Sequence, residues 1–217
     1  MTMIELSGVR KSFHGTEVLH ETTTVFPDGK ITGICGPNGS GKTVLLKLIC
    51  GFFRPTSGSI RVGNETIGKD VDFPSDIGAV IETASFLSWQ TGEECLLELA
   101  KIRHRIGKAE VAGILEQMGL ANAAGKHIGR YSLGMRQRLA LAQAFMEDPM
   151  TIILDEPFNA LDKEGVKLVK DRLTEFAKRG RTIVVCDHVR EEMLGFCDAL
   201  YEMENGTLKR IEIKEDL

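Results

Sequence analysis

The sequence has 217 residues, of which 42% are hydrophobic and 27% are charged, and its formal net charge is −4. This composition excludes a disordered chain, and the weakly acidic charge argues against a nucleic-acid-binding protein. No apolar run reaches the roughly 18 residues that a membrane-spanning helix needs, so we expect one folded cytoplasmic chain without a nucleic-acid partner.

The predicted elements begin with short strands and continue with buried strands and helices. Alternating patterns predict an antiparallel flank from residues 3–9, 18–26 and 58–62. Four runs are apolar on both faces, as in a buried parallel sheet: 31–35, 77–81, 151–154 and 182–186. Helical patterns lie between or beside them at 42–51, 93–102, 109–118, 133–146 and 164–178. The alternation predicts an α/β fold, which closes with a hairpin at Asn205-Gly206.

The five cysteines form no C-x-x-C pair, and Cys35 and Cys186 lie inside apolar runs. This pattern is typical of buried, reduced thiols and not of a disulfide framework or a metal site. It agrees with a reducing compartment.

The segment ICGPNGSGKT contains every fixed position of the motif G-x-x-x-x-G-K-[ST], directly after a predicted strand and before a predicted helix. In such a phosphate loop, glycines let backbone N–H groups approach phosphates, Lys42 reaches the β- and γ-phosphates, and the Thr43 hydroxyl binds Mg²⁺. A glycine-rich turn that binds nothing is the alternative. The positions expected to contact the nucleotide are Gly36, Pro37, Asn38, Gly39, Ser40, Gly41, Lys42, Thr43 and Val44.

A second motif, TIILDEP, places two acids at the end of a fully apolar strand. Asp155 is expected to hold Mg²⁺, and Glu156 to take a proton from the attacking water. An acidic pair at a strand end is by itself often a solvated surface feature. The preceding phosphate loop favours the catalytic interpretation.

The order of these motifs resembles that of the ATP-binding cassette (ABC) ATPase family over essentially the whole chain. Between them lies YSLGM, residues 131–135, which resembles the signature segment of that family. The resemblance implies that Ser132 and Gly134 present a helix start to the γ-phosphate of ATP held by a second copy. Leu133 and Met135 depart from the usual glycine and glutamine. An ordinary N-cap serine is the alternative for Ser132.

One further segment and three further residues carry over from the family. The segment 159–162, NALD, resembles the D-loop that links two hydrolytic sites across a dimer. His188 resembles the switch histidine, which contacts the γ-phosphate. Phe13 resembles the aromatic residue that stacks on adenine, with a core phenylalanine as the alternative. Glu82 stands where the family commonly has a glutamine that touches Mg²⁺, with a solvated strand-end acid as the alternative.

The resemblance also implies an architecture and partners. It implies a phosphate-loop NTPase fold in a single domain, residues 1–217, with an antiparallel flank and a helical lobe at about 84–146. It implies ATP and Mg²⁺ as ligands, a homodimer that closes on ATP, and a separate permease at the inner face of the membrane. The exposed side chains of 86–90 are suited to contact that permease, although they could equally belong to the core of the lobe.

Within the family, the chain is most similar to exporter cassettes of the bacitracin-resistance and lantibiotic-immunity type. A soluble ABC ATPase of repair or translation is an alternative function. Repair members carry long coiled-coil insertions, for which the segment between Thr43 and Ser132 is too short, and translation members usually carry two cassettes in one chain. An unrelated phosphate-loop kinase would have no use for the signature segment or the D-loop.

Overall fold

The computed structural model describes residues 3–82 and 84–211. In chain order the strands are β1 Ile4–Phe13, β2 Thr16–Phe26, β3 Ile31–Cys35, β4 Ser57–Val62, β5 Glu65–Thr66, β6 Ile77–Val80, β7 Thr151–Asp155, β8 Thr182–Asp187, β9 Ala199–Glu204 and β10 Thr207–Ile211. The helices are α1 Lys42–Ile49, α2 Gly92–Arg103, α3 Lys108–Gln117, α4 Leu133–Phe145, α5 Lys163–Lys178 and α6 Arg190–Met193. No helix within the described residues is long and apolar enough to cross a membrane.

The strands form two sheets. The smaller sheet is antiparallel in the order β2-β1-β4-β5, which confirms the predicted flank. The larger sheet has the order β10-β9-β3-β8-β7-β6, in which neighbouring strands from β9 to β6 are parallel and β10 is antiparallel to β9. Since the carboxyl ends of parallel strands meet at one edge of a sheet, the residues after β3, β6, β7 and β8 are brought together.

The core lies on both faces of the larger sheet. In β7, Ile152 and Leu154 pack with α4 and α5, whereas Ile153 faces α1 and the antiparallel sheet. Helix α1 is amphipathic toward this second layer, and Leu45, Leu46, Leu48 and Ile49 are fully buried. The two sheets therefore enclose α1, which fixes the helix that follows the phosphate loop.

Helices α2, α3 and α4 fall within the predicted lobe. Their buried residues, such as Leu96 and Ile114, belong to the same apolar cluster as Leu154 of the larger sheet. The lobe shares this core with the sheet, and its limits at about 84–146, like the single domain 1–217, stay predictions. The five cysteines are free and buried, which confirms their interpretation as reduced thiols.

Candidate functional site

The phosphate loop joins β3 to α1 at the carboxyl edge of the larger sheet. Gly36 has no room for a side chain, because a Cβ atom there would lie 2.2 Å from the carbonyl oxygen of Met203. Gly41 caps α1 with a φ of 111°, in the left-handed region that favours glycine. Lys42 is buried, and its Nζ donates to the carbonyl oxygens of Gly36 at 2.7 Å and Pro37 at 3.0 Å. The backbone thus curls around the lysine ammonium group.

The remaining loop positions differ in exposure. Pro37, Asn38 and Gly39 are exposed, whereas Ser40 is buried and Val44 is partly buried against the core. The Ser40 hydroxyl oxygen is buried and has no hydrogen-bond partner among the described residues. A buried unpaired hydroxyl in a phosphate loop fits a bound phosphate oxygen, which would accept its hydrogen bond.

Two side chains meet where α1 approaches the end of β7. The Thr43 hydroxyl donates to Oδ2 of Asp155 at 2.6 Å. Asp155 is only 8% exposed, and burial raises the pKa of its carboxyl group, an effect that the bond from Thr43 opposes. A hydroxyl and a carboxylate in contact form a donor set that suits Mg²⁺.

Glu156 follows Asp155 in a left-handed backbone conformation, with φ 49°. Its N–H donates to the Cys186 carbonyl at 2.8 Å, and its carboxylate accepts from Asn159 Nδ2. The turn therefore directs a partly exposed carboxylate away from the strand, where it could receive a proton.

His188 lies between two acids. Its Nδ1 is 3.4 Å from Oε1 of Glu156 and 3.5 Å from Oδ1 of Asp187. Asp187 is 2% exposed, and burial raises the pKa of its carboxyl group, which also accepts from the N–H of Val189. Sequence reasoning missed Asp187, although an acid that ends an apolar strand beside a candidate histidine was a usable signal.

The signature segment lies at the start of α4. Ser132 is the exposed N-cap, and its Oγ accepts from the N–H of Met135 at 3.2 Å. Leu133 is 64% exposed, whereas Met135 packs partly against the core. Gly134 lies against the chain's own Ala160, whose carbonyl oxygen would be 2.7 Å from a Cβ atom at position 134.

Gln137, one turn after Leu133, joins α4 to the residues after β7. Its Nε2 donates to the carbonyl oxygen of Pro157 at 3.1 Å, with a longer contact to the carbonyl of Glu156. Sequence reasoning also missed Gln137. Its spacing of four residues from Leu133 places the two side chains on one face of the helix.

These elements surround one cleft of about 530 Å³. Its lining combines residues of the phosphate loop, the strand ends, α4 and the predicted D-loop: Asn38, Gly39, Thr43, Glu82, Leu133, Gln137, Asp155, Glu156, Asn159 and Ala160. Of the predicted site residues that the structure describes, Asn38, Gly39, Thr43, Glu82, Asp155 and Glu156 are part of this lining. The others are not: Phe13, Gly36, Pro37, Ser40, Gly41, Lys42, Val44, Ser132, Gly134 and His188.

Glu82 lies at the edge of this cleft, and Phe13 lies outside its lining. Glu82 follows β6 with a φ of 61°, and its Oε1 accepts from Lys47 Nζ at 2.6 Å. The Phe13 ring is partly exposed, meets Phe53 edge to face at 5.2 Å between ring centroids, and has Lys11 Nζ 4.7 Å from its centroid. Phe13 is therefore not a fully buried core residue. Stacking on adenine stays a prediction.

The segment that precedes α2 is mixed in its exposure. Trp89 is 68% exposed and Leu87 is 47% exposed, whereas Phe86 packs partly against the core. Gln90 is partly buried and donates to Glu98. The alternative that these side chains belong to the core of the lobe therefore holds in part for Phe86 and is wrong for Trp89.

Comparisons with known proteins agree with this geometry. Residues 19–159 match the family model described as ABC transporter. The chain is 38% identical to the uncharacterized ABC transporter ATP-binding protein YybJ of Bacillus subtilis (strain 168), covering 97% of this chain and 96% of that protein. It is 36% identical to the bacitracin transport ATP-binding protein BcrA of Enterococcus faecalis, over 98% of this chain and 70% of that one. A solved ATP-binding subunit of an ABC transporter superposes with a TM-score of 0.88 at 25% identity, over 99% and 91% of the two chains.

Proposed function

The chain belongs to the ABC transporter family, whose ATP-binding subunits hydrolyse ATP, and from that membership we propose that two copies close around ATP to drive a separate permease. The main support for a nucleotide site is the contact between Thr43 and Asp155, in a cleft that Glu156 also lines. It unites a hydroxyl from the phosphate loop with two acids from a strand end. This is the donor set that hydrolysis of a phosphate anhydride requires.

The residues present fit both expected ligands. The N–H groups of the loop, the buried Ser40 hydroxyl and the Lys42 ammonium group would bind the β- and γ-phosphates of ATP. Thr43 and Asp155 would hold Mg²⁺, with Glu82 at the edge of the same cleft. When bound, the metal ion neutralises phosphate charge and orients the phosphate for attack.

Glu156 would accept a proton from the attacking water, and His188 would assist this proton transfer. Water attacks the γ-phosphorus, the bond to the β-phosphate oxygen breaks, and the proton of the water passes to the Glu156 carboxylate. His188, 3.4 Å from Glu156, would orient that carboxylate and the γ-phosphate. Their separation places both groups within the reach of one water molecule.

A second copy of the chain would complete the site. Ser132 and Leu133 are exposed at the start of α4, so they are available to another protomer. The Ser132 hydroxyl and the free N–H groups of this helix start would bind the γ-phosphate of ATP on the partner. Closure would then depend on ATP, because the nucleotide bridges the two copies.

A permease would contact the surface beside α2. Trp89 and Leu87 are exposed there, and large exposed apolar side chains commonly mark an interface. A neighbouring groove of about 230 Å³ is lined by Phe52, Ala79, Val80, Ile81, Ala84, Ser85, Ala140 and Gln143. Six of its eight lining residues are apolar and two are polar, a combination that suits a short amphipathic helix of the permease. This contact would place the subunit at the inner face of the membrane.

The cargo that we propose is a peptide antibiotic, moved out of the cell. The support is the similarity to BcrA, a bacitracin transport ATP-binding protein. Co-expression of the chain and its permease in a susceptible bacterium should raise bacitracin resistance, and the Lys42→Ala variant should not. Equal resistance with both versions would refute an ATP-driven role.

Purified protein tests the nucleotide site directly. The parent chain should release phosphate from ATP, Glu156→Gln should bind ATP without releasing phosphate, and Lys42→Ala should lose ATP binding. Residual hydrolysis above about a tenth of the parent rate in Glu156→Gln would remove Glu156 from the role of general base.

A further inference from the structure

Two acids at the cleft are held by successive turns of one helix. Thr43 and Lys47 lie four residues apart in α1, so their side chains share a face of that helix. Thr43 donates to Asp155, and Lys47 Nζ donates to Oε1 of Glu82 at 2.6 Å. Asp155 is the last residue of β7 and Glu82 follows β6, so the two acids lie at the ends of neighbouring parallel strands. Helix α1 therefore contacts the ends of two neighbouring strands through hydrogen bonds from two of its side chains.

Lys47 is the more constrained partner of its pair. Its side chain is 22% exposed and its Nζ lies 5.6 Å from the ring centroid of Phe53, whereas the Glu82 side chain is 61% exposed. Glu82 also has a left-handed backbone, with φ 61°, which is uncommon for a residue with a long side chain. An ion pair this exposed contributes little to stability. Its effect is on where the Glu82 carboxylate lies and on the charge that it presents.

The cleft is rich in negative charge. Glu82, Asp155 and Glu156 all line it, and the phosphates of ATP would add further anionic groups. The Lys42 ammonium group is bound to carbonyl oxygens of the phosphate loop. An uncompensated Glu82 carboxylate would therefore repel phosphate through solvent.

We propose that Lys47 is a positioning residue for Glu82, which holds that carboxylate at the margin of the cleft and neutralises the charge that it places beside ATP. The inference rests on the proposed nucleotide site. Lys47 acts through Glu82 and not on ATP itself, so its removal should matter only while residue 82 is acidic. A neutral glutamine at position 82 would leave Lys47 nothing to compensate.

The test is a double-mutant cycle read by binding of the fluorescent analogue mant-ATP in EDTA, without metal. Lys47→Gln should weaken this binding about threefold, as expected when one uncompensated charge repels the phosphates across a solvated cleft. The loss should shrink in excess Mg²⁺ and vanish when Lys47→Gln is combined with Glu82→Gln. Lys47→Arg, which keeps the charge, should bind as the parent does.

Lys30→Gln is the matched control, because it breaks an ion pair of 2.8 Å with Asp198 at the opposite end of β3. It should leave mant-ATP binding unchanged. The same loss from Lys47→Gln in both backgrounds, or no loss in either, would overturn the assignment. A parent chain that binds no mant-ATP under any condition would instead refute the proposed nucleotide site, and this inference with it.

Discussion

The carbonyl oxygen of Ala160 lies 2.7 Å from the position that a Cβ atom on Gly134 would occupy. Ala160 itself has a left-handed backbone, with φ 62°. The start of α4 and the predicted D-loop are thus in close contact within one chain. The family resemblance implied that Gly134 presents the start of α4 to a partner's γ-phosphate. The structure gives a reason within the chain for a glycine at this position, the approach of this carbonyl group.

Gly134→Ala should therefore impair hydrolysis without impairing ATP binding by a single chain. The added methyl group forces α4 away from Ala160, while the phosphate loop is untouched. We expect the rate of phosphate release to fall at least about tenfold and mant-ATP affinity to stay within about threefold. Gly113→Ala in α3 is the control, because a Cβ atom there meets nothing within 4 Å. A tenfold loss of affinity in Gly134→Ala would show that Gly134 acts in its own chain's nucleotide site.

Two inactive variants should restore activity to each other when mixed. Lys42→Ala removes a phosphate-loop cation, and Ser132→Arg places a bulky side chain at the start of α4. In a mixed dimer, one site combines an intact phosphate loop from the second variant with an intact signature segment from the first. Phosphate release should recover to roughly a quarter of the parent rate, since about half of random dimers are mixed and each has one intact site. If phosphate release did not recover at any mixing ratio, both residues would belong to the nucleotide site of the same chain.

Asp187→Asn should stabilise the free protein near neutral pH. Burial raises the pKa of the Asp187 carboxyl group, so the folded chain holds this proton at a pH where the unfolded chain has lost it. The parent should then lose stability as pH rises from about 4 through the raised pKa, and the loss should persist above it. Asparagine keeps an acceptor for Val189 N–H, so the variant should lack this loss. Melting temperatures from pH 4 to 8 measure the difference, and identical profiles would contradict a buried charge at this position.

Trp89 is the one tryptophan of the sequence, so its fluorescence reports on the segment before α2. With 68% of the residue exposed, acrylamide should quench it nearly as strongly in the folded chain as in urea. Vesicles that contain the co-expressed permease should reduce this quenching, and vesicles without it should not. If quenching were the same with both kinds of vesicle, Trp89 would not be part of the contact with the permease.

Buried strands and helices were predictable because their signals are local. The run 31–35 matches β3 and 151–154 falls one residue short of β7, since β-branched residues apolar on both faces fit a buried parallel sheet. In contrast, β1 extends to Phe13, beyond the predicted 3–9. Its second half is polar and is held by pairing with β2, which leaves no apolar pattern. The four-residue α6 is too short to show helical periodicity.

The site was predictable where a motif fixes residue types at a fixed spacing. Thr43, Asp155 and Glu156 line one cleft, as the two motifs led us to expect. The links between motifs were not predictable. The bond from Gln137 to Pro157 and the contact of Gly134 with Ala160 join segments distant in sequence, and neither has a local signal. Such pairs follow from how α4 packs, which depends on the whole core.

Glu156→Gln should convert the chain into a stable dimer when Mg-ATP is present. The glutamine keeps the size and hydrogen-bonding oxygen of the side chain but cannot take a proton from water, so ATP stays intact and continues to bridge two copies. Lys42→Ala, which should not retain nucleotide, is the control.

Sedimentation velocity of Glu156→Gln, with and without Mg-ATP, tests most directly whether two copies share ATP. The variant should sediment as a 23.9 kDa monomer without nucleotide and at about twice that mass with saturating Mg-ATP. A variant that remains strictly monomeric while saturated with Mg-ATP would contradict the proposed closure of two copies around the nucleotide.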